Sequence, residues 1–307
     1  MNARSSQLDP LAIGLVVMCC ASWGLQQVAI KVANAGISPI LQAGLRSAGA
    51  ALLVWAWSEA RGVKLFERDG SLWLGIAIAA LFGSEFAFIY LSLEFTTAAR
   101  GAIFLYTAPF FVALGAHFLI PGERLHGAKA GGLLAAFTGG GIAFSDSLGL
   151  PSHRELIGDA MMVFAGFLWA ATTVVIKATR LARLSPHKML IYQLAGSALL
   201  LLPLSPLLGE RGIIEPSTSV LLLLAYQVVV VAFASYIAWF WLVAHYPAAA
   251  LSSFTFLTPI FGMLGGGLLL GEPITPRLAI AIVLVGSGIY FVSRPARVAG
   301  PEHRGAP

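Results

Sequence analysis

The sequence predicts an all-α integral membrane protein, with ten transmembrane helices forming two inverted five-helix repeats around a central cavity. Three observations predict it. Hydrophobic residues make up 58% of the chain and charged residues only 11%, with a mean hydropathy of +0.84. A soluble domain carries about 25% charge, so lipid is the expected solvent. Ten mostly apolar segments follow one another, each near the roughly 20 residues that a spanning helix needs. Finally, landmarks of the first half recur in order in the second, at a shift of 146 to 150 residues.

The recurring pairs are Trp23 with Trp169, Lys31 with Lys177, Ser38-Pro39 with Ser185-Pro186, and Pro109 with Pro259. Gly122-Glu123 recurs as Gly271-Glu272, and Gly139-Gly140-Gly141-Ile142 as Gly286-Ser287-Gly288-Ile289. The repeats are expected to span 1–150 and 151–307. Five helices per repeat is an odd number, so the second copy enters the membrane from the opposite face. Duplicated, inverted apolar halves mark secondary transporters, whose substrate site lies where the repeats meet.

The spans are expected at about 11–33, 38–59, 71–92, 96–119, 126–144, 157–179, 186–207, 217–243, 248–270 and 277–293. The first is too long for a cleavable signal peptide and holds Trp23, Gln26 and Gln27. Cys19 and Cys20 are adjacent, cannot bridge normally, and read as small buried hydrophobes. With the N-terminus inside, 12 Lys and Arg fall on inner segments, among them Arg4, Arg294, Arg297 and Arg304, against 4 on outer ones. That bias puts both termini in the cytoplasm. The net charge of +5 is scattered over loops and gives no support for nucleic-acid binding.

Lys31 and Lys177 lie about one turn from their helix ends and are expected to snorkel to the interface, with a gate contact as the alternative. Arg46, two turns inside helix 2, needs a cavity or a partner, or caps carbonyls of a neighbouring helix. Its repeat mate is Gln193. Glu85 lies near the centre of helix 3, with Ser235 as its mate. A carboxylate there calls for a proton, water or a cation, or a hydrogen bond to a neighbouring helix. Gly75, Ala79 and Gly83 form a small-residue stripe suited to close helix contact, and Gly132, Ala136 and Gly140 form another. Pro109 and Pro259 fall at mid-helix, where each removes a backbone hydrogen bond and bends or breaks its helix. They are hinge candidates, or static kinks. In helix 8, Trp239 is one turn from Ser235 and shares its face.

The sequence lacks a phosphate-binding Gly-Lys-Ser/Thr loop. It has no His/Cys cluster at metal-ligand spacing and no gathered Ser, His and Asp. An enzyme is therefore not expected, nor a cofactor or a metal.

The motifs TAPFFVALGAHFLIPGERL at 107–125 and TPIFGMLGGGLLLGEPI at 258–274, with ASWG at 21–24, Lys31 and Arg46, resemble the EamA-type branch of the drug/metabolite transporter superfamily. The aromatic interior is similar to that of the superfamily's aromatic amino-acid exporters. The resemblance implies that helices 1, 3, 4, 6, 8 and 9 line a central cavity, 2 and 7 flank it, and 5 and 10 sit outside. The expected function is export of small zwitterionic metabolites, amino acids including aromatic ones, across the inner membrane. A lipophilic-cation exporter is the alternative, and a non-transport scaffold is disfavoured. Trp23, Tyr106, Trp169 and Trp239 are the expected apolar and stacking surface, with Phe82 and Phe86 beside them. Glu85 is expected to meet an ammonium group or carry a coupling proton, and Gln27, Thr107, Thr173 and Ser235 to supply hydrogen bonds. The expected partners are a small-molecule substrate and the lipid bilayer. A monomer is the working expectation, with the oligomeric state open.

Overall fold

The computed structural model describes residues 8–143, 145, 150–270 and 276–293. The Gly271-Glu272 pair and Arg4, Arg294, Arg297 and Arg304 lie outside the described residues. Regular structure among the described residues is helical throughout, apart from one isolated bridge between Ile37 and Ile213. In chain order the α-helices are α1 (Pro10–Ala33), α2 (Pro39–Ala60), α3 (Leu72–Ser92), α4 (Ala98–Leu105), α5 (Ala108–Leu119), α6 (Gly127–Ala143) and α7 (His153–Ala178). They continue with α8 (Pro186–Leu207), α9 (Thr218–Tyr226), α10 (Tyr236–His245), α11 (Ala248–Phe254), α12 (Leu257–Leu270) and α13 (Pro276–Ser293). A 3₁₀ turn spans Arg180–Arg183, and a π-helical stretch, Gln227–Ser235, joins α9 to α10.

Six stretches among the described residues are long and apolar enough to cross a membrane: Pro10–Ala33, Leu72–Ser92, Arg100–Leu119, His153–Ala178, Pro186–Leu207 and Thr218–His245. Their outward faces are apolar too. Met18, Trp73, Phe118 and Leu199 are each more than 70% exposed, an arrangement suited to lipid and costly in water.

Helix ends are set by local chemistry. Asp9, Thr97, Ser152, Ser185 and Ser217 each accept a backbone N–H of the first turn of the helix that follows, filling donors that have no partner inside the helix. Ser152 and Glu155 complete a reciprocal capping box. The proline signals act as expected. The helix carrying Pro109 is broken at Tyr106-Thr107, and the one carrying Pro259 at Thr255-Phe256, just before each proline. Proline cannot donate to the preceding turn and disfavours helical geometry in the residue before it.

Small residues bring the helices together. A Cβ at Gly24 would lie 2.6 Å from the Thr258 carbonyl oxygen and 2.7 Å from the Gly262 nitrogen, so α1 and α12 can cross this closely only through glycine. The Gly75, Ala79 and Gly83 stripe packs on α8, against Tyr192, Gly196 and Leu200. In the other stripe, Gly132 and Ala136 meet Gly288 of α13, whereas a Cβ at the buried Gly140 would meet none of the described residues within 4 Å. That stripe therefore packs within the chain at two of its three positions.

Candidate functional site

Helices α1, α3, α7, α8 and α10, with the end of α4, enclose one aromatic cavity, about 670 Å³ of empty space including its mouth. Trp23 is its centre. Its ring centroid lies 5.1 Å from Trp239, 6.1 Å from Tyr236 and 6.2 Å from Trp169, all edge to face, the geometry that aromatic quadrupoles favour. Tyr106 extends the cluster from Trp169 at 6.0 Å. Phe82 and Phe86, 4.8 Å apart, continue the lining from Tyr236. Trp23 and Trp169 thus meet from the two halves, 146 residues apart in the chain.

Nine of the sequence-predicted residues line this space: Trp23, Gln27, Phe82, Glu85, Phe86, Tyr106, Trp169, Thr173 and Trp239. Two do not. The Thr107 hydroxyl donates to the Phe104 carbonyl at 2.7 Å, closing its own turn ahead of Pro109. The Ser235 hydroxyl accepts the Trp23 indole N–H at 2.8 Å and donates to the Val231 carbonyl at 2.6 Å. It stands behind the wall and holds Trp23 in place. Pro109 and Pro259 also lie off the cavity, at the helix breaks described above.

The sequence reading missed several lining residues, among them Gln26, Thr172, Gln193, Tyr236 and Phe240. Gln193 was legible only as the repeat mate of Arg46. Tyr236 follows Ser235 directly, but the π-helical stretch that ends at Ser235 changes which side chains of this segment face inward. Such stretches are rare and recur at functional sites.

Arg46 is completely buried. Its guanidinium carbon lies 3.8 Å from the Phe86 ring centroid, about 6 Å from those of Tyr90 and Tyr236, and its Nη1 donates to the Tyr236 hydroxyl at 3.4 Å. Of the two expectations, a partner or a carbonyl cap, the structure supplies a partner in the form of a ring cage, in which cation–π attraction grows as water is removed. Arg46 stands behind the lining, against Phe86, the chain neighbour of Glu85. A further polar chain runs outward from Tyr90. Its hydroxyl donates to Gln227 Oε1 at 2.8 Å, Gln227 Nε2 to Gln42 Oε1 at 2.9 Å, and Gln42 Nε2 to Asn34 Oδ1 at 2.8 Å.

The two repeat-related lysines differ. Lys31 is exposed, in keeping with snorkelling. Lys177 is not: its side chain is 1% exposed, 3.5 Å from Glu123 Oε1, and donates to the Tyr246 carbonyl. Glu123 in turn accepts the backbone N–H groups of Ala248 and Ala249 at 3.0 and 3.3 Å, capping α11. Tyr246 also donates its hydroxyl to Asp9. One end of the bundle is therefore tied across α1, α5, α7 and α11. The snorkelling expectation fails for Lys177 because a buried anion and a carbonyl lie nearer than the interface. A separate buried pair joins Arg100 of α4 to Asp159 of α7, which also accepts from Thr96 at 2.7 Å.

Comparison with known proteins places this architecture. The profile of the EamA-like transporter family matches residues 10–144 and again 156–294. The chain belongs to that family of membrane transporters, within the drug/metabolite transporter superfamily. It is 28% identical to a protein of Salmonella typhimurium named "Probable amino-acid metabolite efflux pump", over 93% of this chain and 98% of that one. An Escherichia coli protein of the same name is 27% identical, over 90% and 93%. An "Uncharacterized transporter" of Archaeoglobus fulgidus is 26% identical, over 95% and 98%. A crystal structure with 21% identity superposes with a TM-score of 0.78, covering 94% of this chain and 99% of that one, a likeness of fold.

Proposed function

We propose that this chain exports small zwitterionic metabolites, amino acids including aromatic ones, across the inner membrane by alternating access. The observation that carries this reading is the aromatic cavity with one carboxylate in its wall: Trp23, Trp169 and Trp239 around the space and Glu85 beside it. Such a site takes an apolar ring by area and geometry and an ammonium group by charge. The names of the Salmonella and Escherichia relatives support the same substrate class.

In this reading the chain crosses the membrane ten times, in inverted halves 1–150 and 151–307, with both termini cytoplasmic. The two family matches, and helix breaks recurring 149 residues apart before Pro109 and Pro259, support the duplicated plan. The halves rock about those breaks. Trp23, Gln27, Glu85, Tyr106, Trp169, Thr173 and Trp239 contact substrate, and Glu85 also carries any coupled proton. A second reading, export of lipophilic cations, draws on the same rings and carboxylate, since an aromatic box attracts a cation over its faces.

The test is counterflow of labelled phenylalanine in proteoliposomes, with and without a pH gradient. Uptake that Trp169→Ala abolishes supports the amino-acid reading. Uptake of lipophilic cations alone would replace it with the second, and flux insensitive to the gradient would remove proton coupling.

A further inference from the structure

The cavity is apolar in outline, yet its wall carries several unfilled hydrogen-bond acceptors. Gln27 Oε1, Glu85 Oε2 and Gln193 Oε1 are each buried and receive no hydrogen bond from the protein, and all three residues line this one cavity. Glu85 is 5% exposed and Gln193 is 0% exposed. The three come from α1, α3 and α8, so only the fold brings them to one cavity. Gln193 Nε2 donates to the Met189 carbonyl at 3.4 Å, which fixes the amide with its oxygen free. A buried polar atom left without a partner pays its desolvation uncompensated. Three of the same kind around one space point to a single complementary species, a group with several N–H donors.

We propose that Gln27, Glu85 and Gln193 form a subsite for a primary ammonium group, and that this subsite selects among amine-bearing substrates. A primary ammonium carries three N–H donors, one for each acceptor, and Glu85 supplies the countercharge. Trp23, Trp169 and Trp239 take the apolar remainder. A quaternary ammonium of equal charge has no N–H, so it leaves all three oxygens buried and unfilled. The aromatic box alone would accept both. The acceptors are what separates them, because a site built to hydrogen-bond a polar group rejects analogues that lack it more strongly than an apolar pocket does. Arg46 strengthens the distinction from behind. Held on Phe86, the residue next to Glu85 in the chain, it sets a positive charge behind the cavity, so a bound cation gains by every hydrogen bond it makes. The proposal rests on the cavity being the substrate site, as in the preceding subsection.

The experiment compares binding of phenethylamine and its N,N,N-trimethyl analogue, which share ring, chain length and charge, to the purified full-length protein by calorimetry. Phenylalanine counterflow is measured in parallel. The primary amine is expected to bind at least about tenfold more tightly, and Gln193→Leu and Gln27→Leu are each expected to shrink that ratio severalfold through loss of primary-amine affinity. Circular dichroism and the melting temperature verify that both variants are folded. Gln193→Glu, which keeps an acceptor, should retain more of the preference than Gln193→Leu. Equal affinity for the two cations, or variants that weaken both in parallel, would overturn the subsite. Such a result leaves the export reading standing if phenylalanine still exchanges. A strong primary-amine preference without phenylalanine counterflow supports the subsite and removes the amino-acid reading instead.

Discussion

Trp23 donates its indole N–H to the Ser235 hydroxyl at 2.8 Å, tying the middle of α1 to the end of the π-helical stretch. The start of that stretch is tied as well, by Gln227 to Tyr90 and Gln42. A π-helical segment is wound less favourably than an α-helix, and here side chains from α1, α2 and α3 hold both of its ends. Ser235→Ala is expected to destabilise the protein by about 1 kcal/mol, in line with the loss of its hydroxyl's bonds to Trp23 and Val231 inside the membrane. Trp23→Phe should lose more, because it also trims the aromatic cluster. Melting curves of the two single variants and the double variant measure the coupling. The double variant should lose less than the sum of the singles.

Lys177 and Glu123 tie one end of the bundle. Lys177→Met leaves the half-buried Glu123 with only the Ala248 and Ala249 N–H groups, an expected loss of about 1–3 kcal/mol. Glu123→Ala also uncaps α11, whereas Glu123→Gln keeps an oxygen for the Ala248 and Ala249 N–H groups. The expected order of thermal stability is wild type, then Glu123→Gln, then Glu123→Ala, read from melting in detergent. A result with Glu123→Gln no better than Glu123→Ala would show that charge, not capping, is the main contribution.

Arg100 and Asp159 form the second buried ion pair, and Thr96 adds a hydrogen bond to the same carboxylate. Arg100→Leu is expected to lower stability by about 3 kcal/mol, since an unpaired carboxylate is left beside α4. Adding Asp159→Leu should restore much of the loss, because two apolar side chains replace two charges. Chemical or thermal unfolding of the three variants decides it.

Asp69 gives a pH signature. Lys188 donates to it at 2.8 Å, and Ser71 bonds it as well; these contacts hold its carboxyl well below the ordinary value of 3.8. A depressed carboxyl pKa contributes stability that is present above that ordinary value and is lost as pH falls through the folded one. Melting temperature should therefore fall more steeply below about pH 4 in the wild type than in Lys188→Met, where the pair is already gone. The difference is expected to be small, because the carboxyl is partly exposed and screened.

Much of the fold was legible because lipid writes it into the chain locally. Helix bounds such as Pro186–Leu207 follow from an apolar run between a serine cap and a turn, and the breaks before Pro109 and Pro259 follow from the missing N–H and its steric clash. The cavity was legible in its anchors. Trp23, Trp169 and Trp239 are large aromatics at mid-span, and Glu85 is a charge that a bilayer does not tolerate without a reason. Thr107 and Ser235 stand off the lining, because the direction in which a side chain leaves its helix depends on local winding and packing that sequence spacing does not specify.

Composition, spacing and helix-breaking residues alone determined that this is a helical membrane protein, with aromatics and one carboxylate gathered at its middle. Only the tertiary structure decided how its charges are satisfied. Lys177 meets Glu123 rather than the interface, Arg46 rests on Phe86 rather than on a carbonyl, and Gln193, which lines the cavity, keeps an oxygen with no donor. Hydrophobic spans are set by each segment's own transfer into lipid. A buried polar group is instead settled by whichever partner the packing of other helices brings within about 3 Å, and that partner can lie anywhere in the chain.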